Sequence, residues 1–278
     1  MSEGIYRVIG LERAEERQKV FYSQSYARKF TLFKAIDAQK ANDLILNTFN
    51  FKKAFERYAR QLTVGEAACT MSHQAVWREL ASHPTAEYAV ICEDDALFSN
   101  DIDILEDLIK EYFPKDKQKN IGILIFGESN IGTFNGILKY KLGFPMQLNP
   151  FEKIGKSKTT YKIGRLSSDY LCGTVGYIIS KEWAQVLCNI EPSWLADDFP
   201  TIKVLGEGLY CKKLDIFHVR PRLVIENSNC LSSLAEGRRE EQIKGWGPKK
   251  YSFTQLILIA MSSIFFYCWR KYKASCNK

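Results

Sequence analysis

Three consecutive carboxylates, Glu93, Asp94 and Asp95, directly follow the apolar run at residues 88–92. Clustered carboxylates raise one another's pKa, so a positive partner is expected beside them. A hard divalent cation such as Mg²⁺ or Mn²⁺ takes oxygen ligands and bridges readily to a phosphate. The carboxyl end of a strand in an α/β sheet is also where ligands normally bind. The triplet therefore predicts a metal site, while a solvated turn with helix-capping acids is the alternative.

A second acidic pair, Asp197-Asp198, lies between apolar neighbours in the segment 193–199. One of the two carboxylates could act as a general base that deprotonates an attacking hydroxyl. A metal at the first cluster would then neutralise a leaving diphosphate. The competing interpretation is a helix N-cap, because carboxylates accept hydrogen bonds from the first N–H groups of a helix. Taken alone, this pair favours the cap.

Other catalytic signatures are missing from the sequence. It contains three histidines, His73, His83 and His218, and no Gly-x-Ser-x-Gly motif, so a nucleophilic triad is not indicated. It has neither a phosphate-binding loop nor a Gly-x-Gly-x-x-Gly motif. Its eight cysteines form no Cys-x-x-Cys pair, so we expect reduced thiols and no zinc cluster. Without an export signal, these thiols favour the cytosol.

The net charge of +7 originates in the C-terminal part of the chain. Residues 244–278 hold seven of the 39 Lys and Arg residues and no acid. The other 32 basic residues balance the 32 acids, so residues 1–243 are formally neutral. This distribution argues against a nucleic-acid-binding face. It also suggests two parts, a main domain at 1–243 and a basic, apolar segment at 244–278.

The C-terminal segment has features of a membrane-associating helix. Residues 251–269 carry no charge, but several Ser, Thr and Gln residues dilute this stretch, and a spanning helix needs about 20 mostly apolar residues. Aromatic residues lie near both ends, and basic residues flank them, which suits an anionic membrane surface. We expect a helix that lies in the interface of a cytoplasmic leaflet. A C-terminal span and a last core helix are the alternatives.

Strand-like and helix-like segments alternate along the main part of the chain. This order predicts an α/β domain with a mostly parallel central sheet. Strands are predicted at residues 5–11, 30–36, 88–92, 121–126, 171–180, 214–219 and 222–225. Helices are predicted at residues 12–22, 39–62, 65–80, 103–112 and 181–189, with one more inside 192–205. Residues 128–168 are predicted to form long loops with short strands.

Six blocks of the chain, taken in order, resemble the family 25 glycosyltransferases of lipopolysaccharide and lipooligosaccharide synthesis. They run from about residue 5 to residue 235. The blocks are Val8 to Arg17, Phe33 to Asp37, Gly65 to Trp77, Ala89 to Ala96, Gly173 to Lys181 with the pattern Gly-x-x-x-Tyr-x-x-Ser, and Asp197 to Phe199. Each block is weak alone, but six in order are specific.

The resemblance implies a GT-A-type nucleotide-sugar-binding fold and an inverting, metal-dependent transfer of a hexose. The donor is expected to be UDP-galactose, with UDP-glucose as the alternative. The acceptor is expected to be a sugar of a lipid-linked oligosaccharide in a Gram-negative cell, at the cytoplasmic face of the inner membrane. A non-catalytic, membrane-tethered scaffold with a degenerate transferase domain is a further alternative, as is a nucleotidyltransferase that releases pyrophosphate.

The resemblance also assigns roles to individual residues. Asp95 would ligate Mn²⁺ or Mg²⁺, and His218, after a late strand, is a candidate second ligand. Asp197 is the better candidate for the base, with Asp198 as the fallback. Donor contacts are expected from Ile9, Leu11, Arg13, Arg17, Ser72, His73, Glu93 and Asp94. His73 equally fits a core position, and Arg17 a solvated helix charge. Gly10 departs from the family pattern, which usually has Asn or Ser there.

Overall fold

The structure is a computed structural model that describes residues 3–113, 121–129, 146–148, 161–166 and 173–227. The strands are β1 Glu3–Gly10, β2 Thr31–Lys34, β3 Ala86–Glu93, β4 Ala96–Phe98, β5 Ile123–Ile125, β6 Gly127–Glu128, β7 Met146–Leu148, β8 Lys162–Leu166, β9 Gly176–Ser180, β10 Ile216–Arg220 and β11 Val224–Glu226. The α-helices are α1 Glu15–Tyr22, α2 Asn42–Thr48, α3 Phe51–Tyr58, α4 Val64–Ser82, α5 Ile104–Tyr112, α6 Lys181–Leu187 and α7 Phe199–Tyr210, and a 3₁₀ helix covers Ser25–Lys29.

The central sheet is mixed. Its eight described strands have the order β2-β1-β3-β9-β5-β10-β8-β7, and a small second sheet has the order β4-β11-β6. Six of the eight strands run in one direction, but β9 and β8 are reversed, so four of the seven neighbouring pairs are antiparallel. The predicted α/β class is confirmed, whereas the mostly parallel pairing is corrected. A strand buried on both faces, as β9 is, has the same kind of sequence whether it runs parallel or antiparallel to its neighbours.

Both faces of the sheet are covered. Along β3, Val90 and Cys92 belong to one buried cluster, while Ala89 and Ile91 belong to another on the opposite face. This is the two-residue period of a strand. Helices α4, α6 and α7 pack against the second cluster, and α5 packs against the first. A sheet buried on both faces explains the apolar runs at residues 88–92 of β3 and 177–179 of β9.

Helix α4 has its start fixed by a capping box. The Thr63 hydroxyl accepts from Glu66 N at 3.1 Å, and the Glu66 carboxylate accepts from Thr63 N at 3.0 Å. The helix predicted at 39–62 is instead two helices. Asn50 caps the second one through a bond from Lys53 N at 2.9 Å.

Several predictions concern residues outside the described ranges. The boundary at residue 243, the segment 244–278 and most of 128–168 fall there, and they stay predictions. Within the described residues, no helix is long and apolar enough to cross a membrane.

Candidate functional site

The acidic triplet lies where the carboxyl ends of β1 and β3 meet. The two strands are parallel, and Ile9 lies opposite Glu93 in the register. Directly after β3, Asp94 N donates to Ile9 O at 3.1 Å. The structure therefore places the triplet at the carboxyl ends of two parallel strands, as the strand assignment predicted, and ligands of α/β sheets commonly bind at such ends. Ile9 contributes its backbone carbonyl to this arrangement, while its side chain is buried in the core.

Arg17, on α1, is the positive partner of the triplet. Its Nη2 contacts Asp94 Oδ1 and lies 2.8 Å from Asp95 Oδ2. Both carboxylates are buried, with 5% of Asp94 and 8% of Asp95 exposed. Burial raises the pKa of Asp94 to about 6, against the opposing effect of Arg17. Burial, followed by the charge of Glu93, raises the pKa of Asp95 to about 8. One guanidinium therefore does not compensate the charge of the site.

The oxygen set at Asp95 fits a hard divalent cation. Asp95 Oδ1 is buried and has no hydrogen-bond partner. The carboxylates of Asp94 and Glu226 act on the same group, since both raise the pKa of Asp95. Carboxylate oxygens are the ligands that Mg²⁺ and Mn²⁺ prefer. A cation bound by Asp95 would compensate the negative charge that Arg17 alone does not neutralise.

Glu93 faces helix α4 instead of Arg17. Strand alternation places its side chain on the same face as Ile91, and that face packs against α4. The Thr174 hydroxyl donates to Glu93 Oε1, and His73 Nε2 lies 3.5 Å from the same oxygen. Burial disfavours the Glu93 carboxylate, but its contacts with His73 and Thr174 outweigh that effect and lower its pKa.

His73 is held by a buried aromatic pair. Its Nδ1 lies 2.9 Å from Tyr177 Oη, and Trp77 Nε1 donates to the same oxygen at 2.8 Å. Burial raises the pKa of Tyr177 far above its usual value, so the phenol keeps its proton. Only 2% of His73 is exposed. The ring is thus fixed in the core with its Nε2 edge directed at Glu93, which agrees with the core interpretation, while the donor contact stays a prediction.

Three other predicted donor contacts have partners within the fold. Ser72 Oγ donates to Ala68 O at 2.7 Å and accepts from Ile36 N at 2.9 Å, so it fastens the segment after β2 to α4. Arg13 Nε donates to Asp37 Oδ2 at 3.0 Å. The Leu11 carbonyl accepts from Gln18 Nε2 at 2.7 Å. In this structure, Ser72 therefore has a structural role, while Arg13 and Leu11 lie at the β1 end of the site.

Gly10 lies against Asp94. A Cβ atom at position 10 would lie 2.9 Å from Asp94 Oδ2 and 3.1 Å from Asp94 Cβ. Such contacts require Asp94 to shift. The departure from the family pattern at this position therefore leaves room for the Asp94 side chain in its contact with Arg17.

His218 lies across the sheet from the triplet. It is opposite Ile125, which is opposite Tyr177, which is opposite Ile91. Three strand spacings separate His218 from Ile91, or about 14 Å. Burial, followed by the charge of Arg220, lowers the pKa of His218 to about 3, so its ring is neutral. This position does not support His218 as a partner of Asp95 in metal binding.

The late part of the chain reaches Asp95 through β11. Glu226 pairs with Ala96 in the small sheet, and Asn227 N donates to Asp95 O at 2.8 Å. Glu226 also raises the pKa of Asp95 by its charge. Sequence reasoning missed this acid because nothing local distinguishes a carboxylate at the end of a short strand.

The two members of the second acidic pair differ in their surroundings. Asp198 is the N-cap of α7, and its Oδ1 accepts from Thr201 N at 3.1 Å. Its Oδ2 accepts from Tyr58 Oη at 2.6 Å. Both oxygens are thus occupied, as the cap interpretation predicts for Asp198. Asp197 is half-buried and does not have this capping role, so it remains the better candidate for a base.

Helices α3 and α4 hold the loop that carries the pair. Thr70 Oγ1 donates to Trp194 O at 2.7 Å, and Arg57 Nη1 donates to Ser193 O at 2.6 Å. The Phe199 ring lies 5.6 Å from the ring of Tyr177, which in turn holds His73. Packed side chains therefore connect the second acidic pair to Glu93.

An acidic cluster at the carboxyl end of a strand is common in α/β enzymes that bind phosphorylated ligands, because a divalent cation held there can bridge to a phosphate. The family model "Glycosyltransferase family 25 (LPS biosynthesis protein)" matches residues 4–200. This match covers most of the chain, so the protein belongs to glycosyltransferase family 25 and is a glycosyltransferase.

Two curated relatives agree with the family assignment. The lipooligosaccharide biosynthesis protein lic2B of Haemophilus influenzae is 32% identical over 209 residues, which cover 72% of this chain and 68% of that protein. Procollagen galactosyltransferase 2 of Mus musculus is 25% identical over 198 residues. That match covers 66% of this chain and only 27% of the mouse protein.

Solved structures give a weaker likeness. A Drosophila beta-1,4-galactosyltransferase 7 mutant, in complex with manganese, UDP-Gal and xylobiose, matches with a TM-score of 0.38 and 8% identity. The match covers 90% of this chain and 82% of the Drosophila protein chain. The inositol-1-phosphate CTP transferase of T. maritima matches with a TM-score of 0.35 and 14% identity, covering 89% of this chain and 98% of that chain. Scores this low carry no argument about function.

Proposed function

We propose that this protein transfers galactose from UDP-galactose to an acceptor sugar of a lipooligosaccharide or lipopolysaccharide, with inversion and with Mn²⁺ or Mg²⁺ as cofactor. The family and the name of the lic2B relative support the acceptor class, and the name of the procollagen relative supports galactose. The finer fold assignment, a GT-A-type fold, belongs to the same proposal. UDP-glucose is the alternative donor.

One observation carries the proposal: Asp95 is buried among acids at the meeting ends of β1 and β3, with Oδ1 lacking a partner. Asp95 would hold the divalent cation, and Asp94 would lie nearer the ribose. When bound, this cation neutralises the charge of the leaving diphosphate. Arg17 reaches the same acids, so its guanidinium is positioned to contact diphosphate oxygens when a cation takes over its carboxylate partners.

Asp197 is proposed as the general base. It would take the proton of the acceptor hydroxyl as that oxygen attacks the sugar carbon. Asp198 next to it caps α7 and bonds Tyr58, which fixes the backbone that carries Asp197. The hydrogen bonds from Thr70 and Arg57 to the loop backbone would help to hold Asp197 in place relative to the sheet.

The test is UDP release from a panel of UDP-sugars, in Mn²⁺ or in EDTA, with an oligosaccharide acceptor. The expected result is cation-dependent turnover of UDP-galactose. Preferential turnover of UDP-glucose would show that glucose, not galactose, is the transferred sugar. Release of pyrophosphate from a nucleoside triphosphate would indicate a nucleotidyltransferase. Absence of both turnover and UDP binding would support the scaffold alternative.

We further propose that residues 244–278 hold the enzyme peripherally at the cytoplasmic face of the inner membrane. Seven basic residues and no acid in this segment suit an anionic membrane surface. Confinement to the surface that carries the acceptor raises the effective concentration of both. Deleting residues 245–278 should spare transfer to a soluble acceptor and reduce co-sedimentation with anionic vesicles. Full co-sedimentation of the truncated protein would contradict this role.

A further inference from the structure

Three side chains that can ligate zinc, a thiol, an imidazole and a carboxylate, converge between α4 and the end of β3. A ligand atom from each of Cys69, His73 and Glu93 lies within 4.8 Å of the other two. Across the described residues, this is the one group of three or more Cys, His, Asp or Glu ligand atoms that comes this close. Neither Asp95 nor His218 belongs to it.

The fold brings the three together by two regular spacings. Cys69 and His73 are four residues apart on α4, so they lie on the same face, one turn from each other. Glu93 follows Ile91 by two residues on β3, so it points towards the same helix. The group therefore depends on the packing of α4 against the sheet and not on a loop.

The His73–Glu93 contact needs a proton or a cation between its two atoms. His73 Nε2 is buried without a hydrogen bond, 3.5 Å from Glu93 Oε1. If His73 Nδ1–H donates to Tyr177, the Nε2 lone pair faces a carboxylate oxygen, and only a proton or a cation between them relieves the repulsion. Two ligands of a tetrahedral zinc ion are about 3.4 Å apart, close to the observed distance.

Each ligand also has an orienting partner of the kind that metal sites use. Tyr177 Oη lies 2.9 Å from His73 Nδ1 and fixes the ring. The Thr174 hydroxyl donates to Glu93 Oε1. Hydrogen bonds from outer groups to ligating imidazole and carboxylate are a regular feature of protein metal sites.

We propose that Cys69, His73 and Glu93 bind a zinc-class divalent cation, with the fourth position open to water or to another ligand. Sulfur, imidazole nitrogen and a single carboxylate oxygen form a set that selects zinc over magnesium or manganese. Binding releases the thiol proton of Cys69 and any proton held between His73 and Glu93, so affinity falls at low pH. The proposed site uses a single cysteine, so it differs from the Cys-x-x-Cys zinc cluster that the sequence argues against.

The site is chemically separate from the one proposed at Asp95, and the inference does not depend on transferase activity. Glu93 belongs to the zinc-class site through its contact with α4. Asp95 offers only oxygen to a hard cation. A probe that reports thiolate ligation therefore observes the first site and not the second.

The experiment is a titration of Co²⁺ into the full-length protein after metal removal, followed by the thiolate-to-cobalt charge-transfer band in the near ultraviolet. We expect a band that saturates near one equivalent and is abolished by an equivalent of Zn²⁺. Cys69→Ser should abolish the band, whereas the matched variant Cys211→Ser, at an exposed cysteine, should keep it. Circular dichroism confirms that both variants are folded.

A second variant probes the outer shell. Tyr177→Phe removes the partner of His73 Nδ1 but no ligand, so the band should persist with affinity lowered about 10–100-fold. Absence of a charge-transfer band in the native protein, together with absence of bound zinc, would overturn the proposal. A band of undiminished intensity in Cys69→Ser would also overturn it. Neither result would affect the proposed transferase function, which is measured by UDP release.

Discussion

The two acidic clusters of this protein differ in how their carboxylates are satisfied. Asp95 is buried beside other acids, shares one guanidinium with Asp94, and leaves Oδ1 without a partner. Asp198 is buried as well, but both of its oxygens accept hydrogen bonds. The first arrangement disfavours folding and is completed by something that binds, whereas the second stabilises the fold. Asp95 and Asp198, which look alike in sequence, thus have opposite effects on the free energy of folding.

The largest effect that tests this contrast is on catalysis at Asp95. Asp95→Asn removes the charge that would hold the cation, and loss of several kcal/mol of transition-state stabilisation corresponds to about a 10³-fold fall in kcat/KM. The measurement is Mn²⁺-dependent UDP release. Asp43→Asn, at an exposed acid on α2, is the control and should retain activity. Equal activity of the native protein and Asp95→Asn would refute a metal role for this residue.

The next effect separates the two members of the second pair. Asp197→Ala should lower kcat about 100-fold, as expected when a general base is lost. Its free energy of unfolding should fall by less than that of the variant that lacks the helix cap, Asp198→Ala. Turnover at saturating acceptor and urea denaturation measure the two quantities. An active Asp197→Ala enzyme would exclude this residue as the base.

Asp198→Ala should lower the stability of the fold more than Asp197→Ala does. It removes the cap of α7 and leaves the Tyr58 hydroxyl without its acceptor, so the free energy of unfolding should fall by about 2 kcal/mol. Urea denaturation measures this loss. A stability equal to that of Asp197→Ala would show that the hydrogen bonds of Asp198 contribute nothing and would erase the contrast between the clusters.

The smallest effect, counted per pH unit, is the dependence of stability on pH in EDTA. The pKa of Asp95 is raised to about 8 in the folded protein, whereas the pKa of an Asp in an unfolded chain is about 4. Between these values the folded protein binds the extra proton, so stability falls as pH rises, by at most about 1.4 kcal/mol per pH unit. Asp95→Asn should flatten this slope in urea denaturation series. A slope unchanged in the variant would show that Asp95 ionises normally.

Patterns local in sequence predicted much of the fold. The runs around β1, β3 and α4 were placed within a few residues, because each combines a clear period with polar flanks. The position of the acidic triplet at the sheet edge followed from the strand that precedes it. The direction of β9 did not, because a strand buried on both faces carries no orientation signal.

Contacts between distant segments limited the prediction of the site. Arg17, on α1, was expected to contact the donor. Its pairing with Asp94 and Asp95 was not expected, because α1 and Asp95 are 78 residues apart in sequence and meet only in the folded chain. The grouping of Cys69 with Glu93 requires the packing of α4 on β3, which no local motif encodes. His218 was proposed from its place after a late strand, and only the sheet register showed how far away it lies.

The insertion of β9 between β3 and β5 has a consequence for synthesis of the chain. Strand β3 ends at Glu93, and β9, which pairs with its other edge, begins at Gly176, 83 residues later. At ribosomal rates of 5–20 residues per second, that interval lasts about 4–17 s, during which one edge of β3 lacks its partner strand. Exposed edges of this kind recruit other chains. Prematurely terminated products that end before residue 176 should therefore aggregate instead of accumulating as soluble partial enzymes.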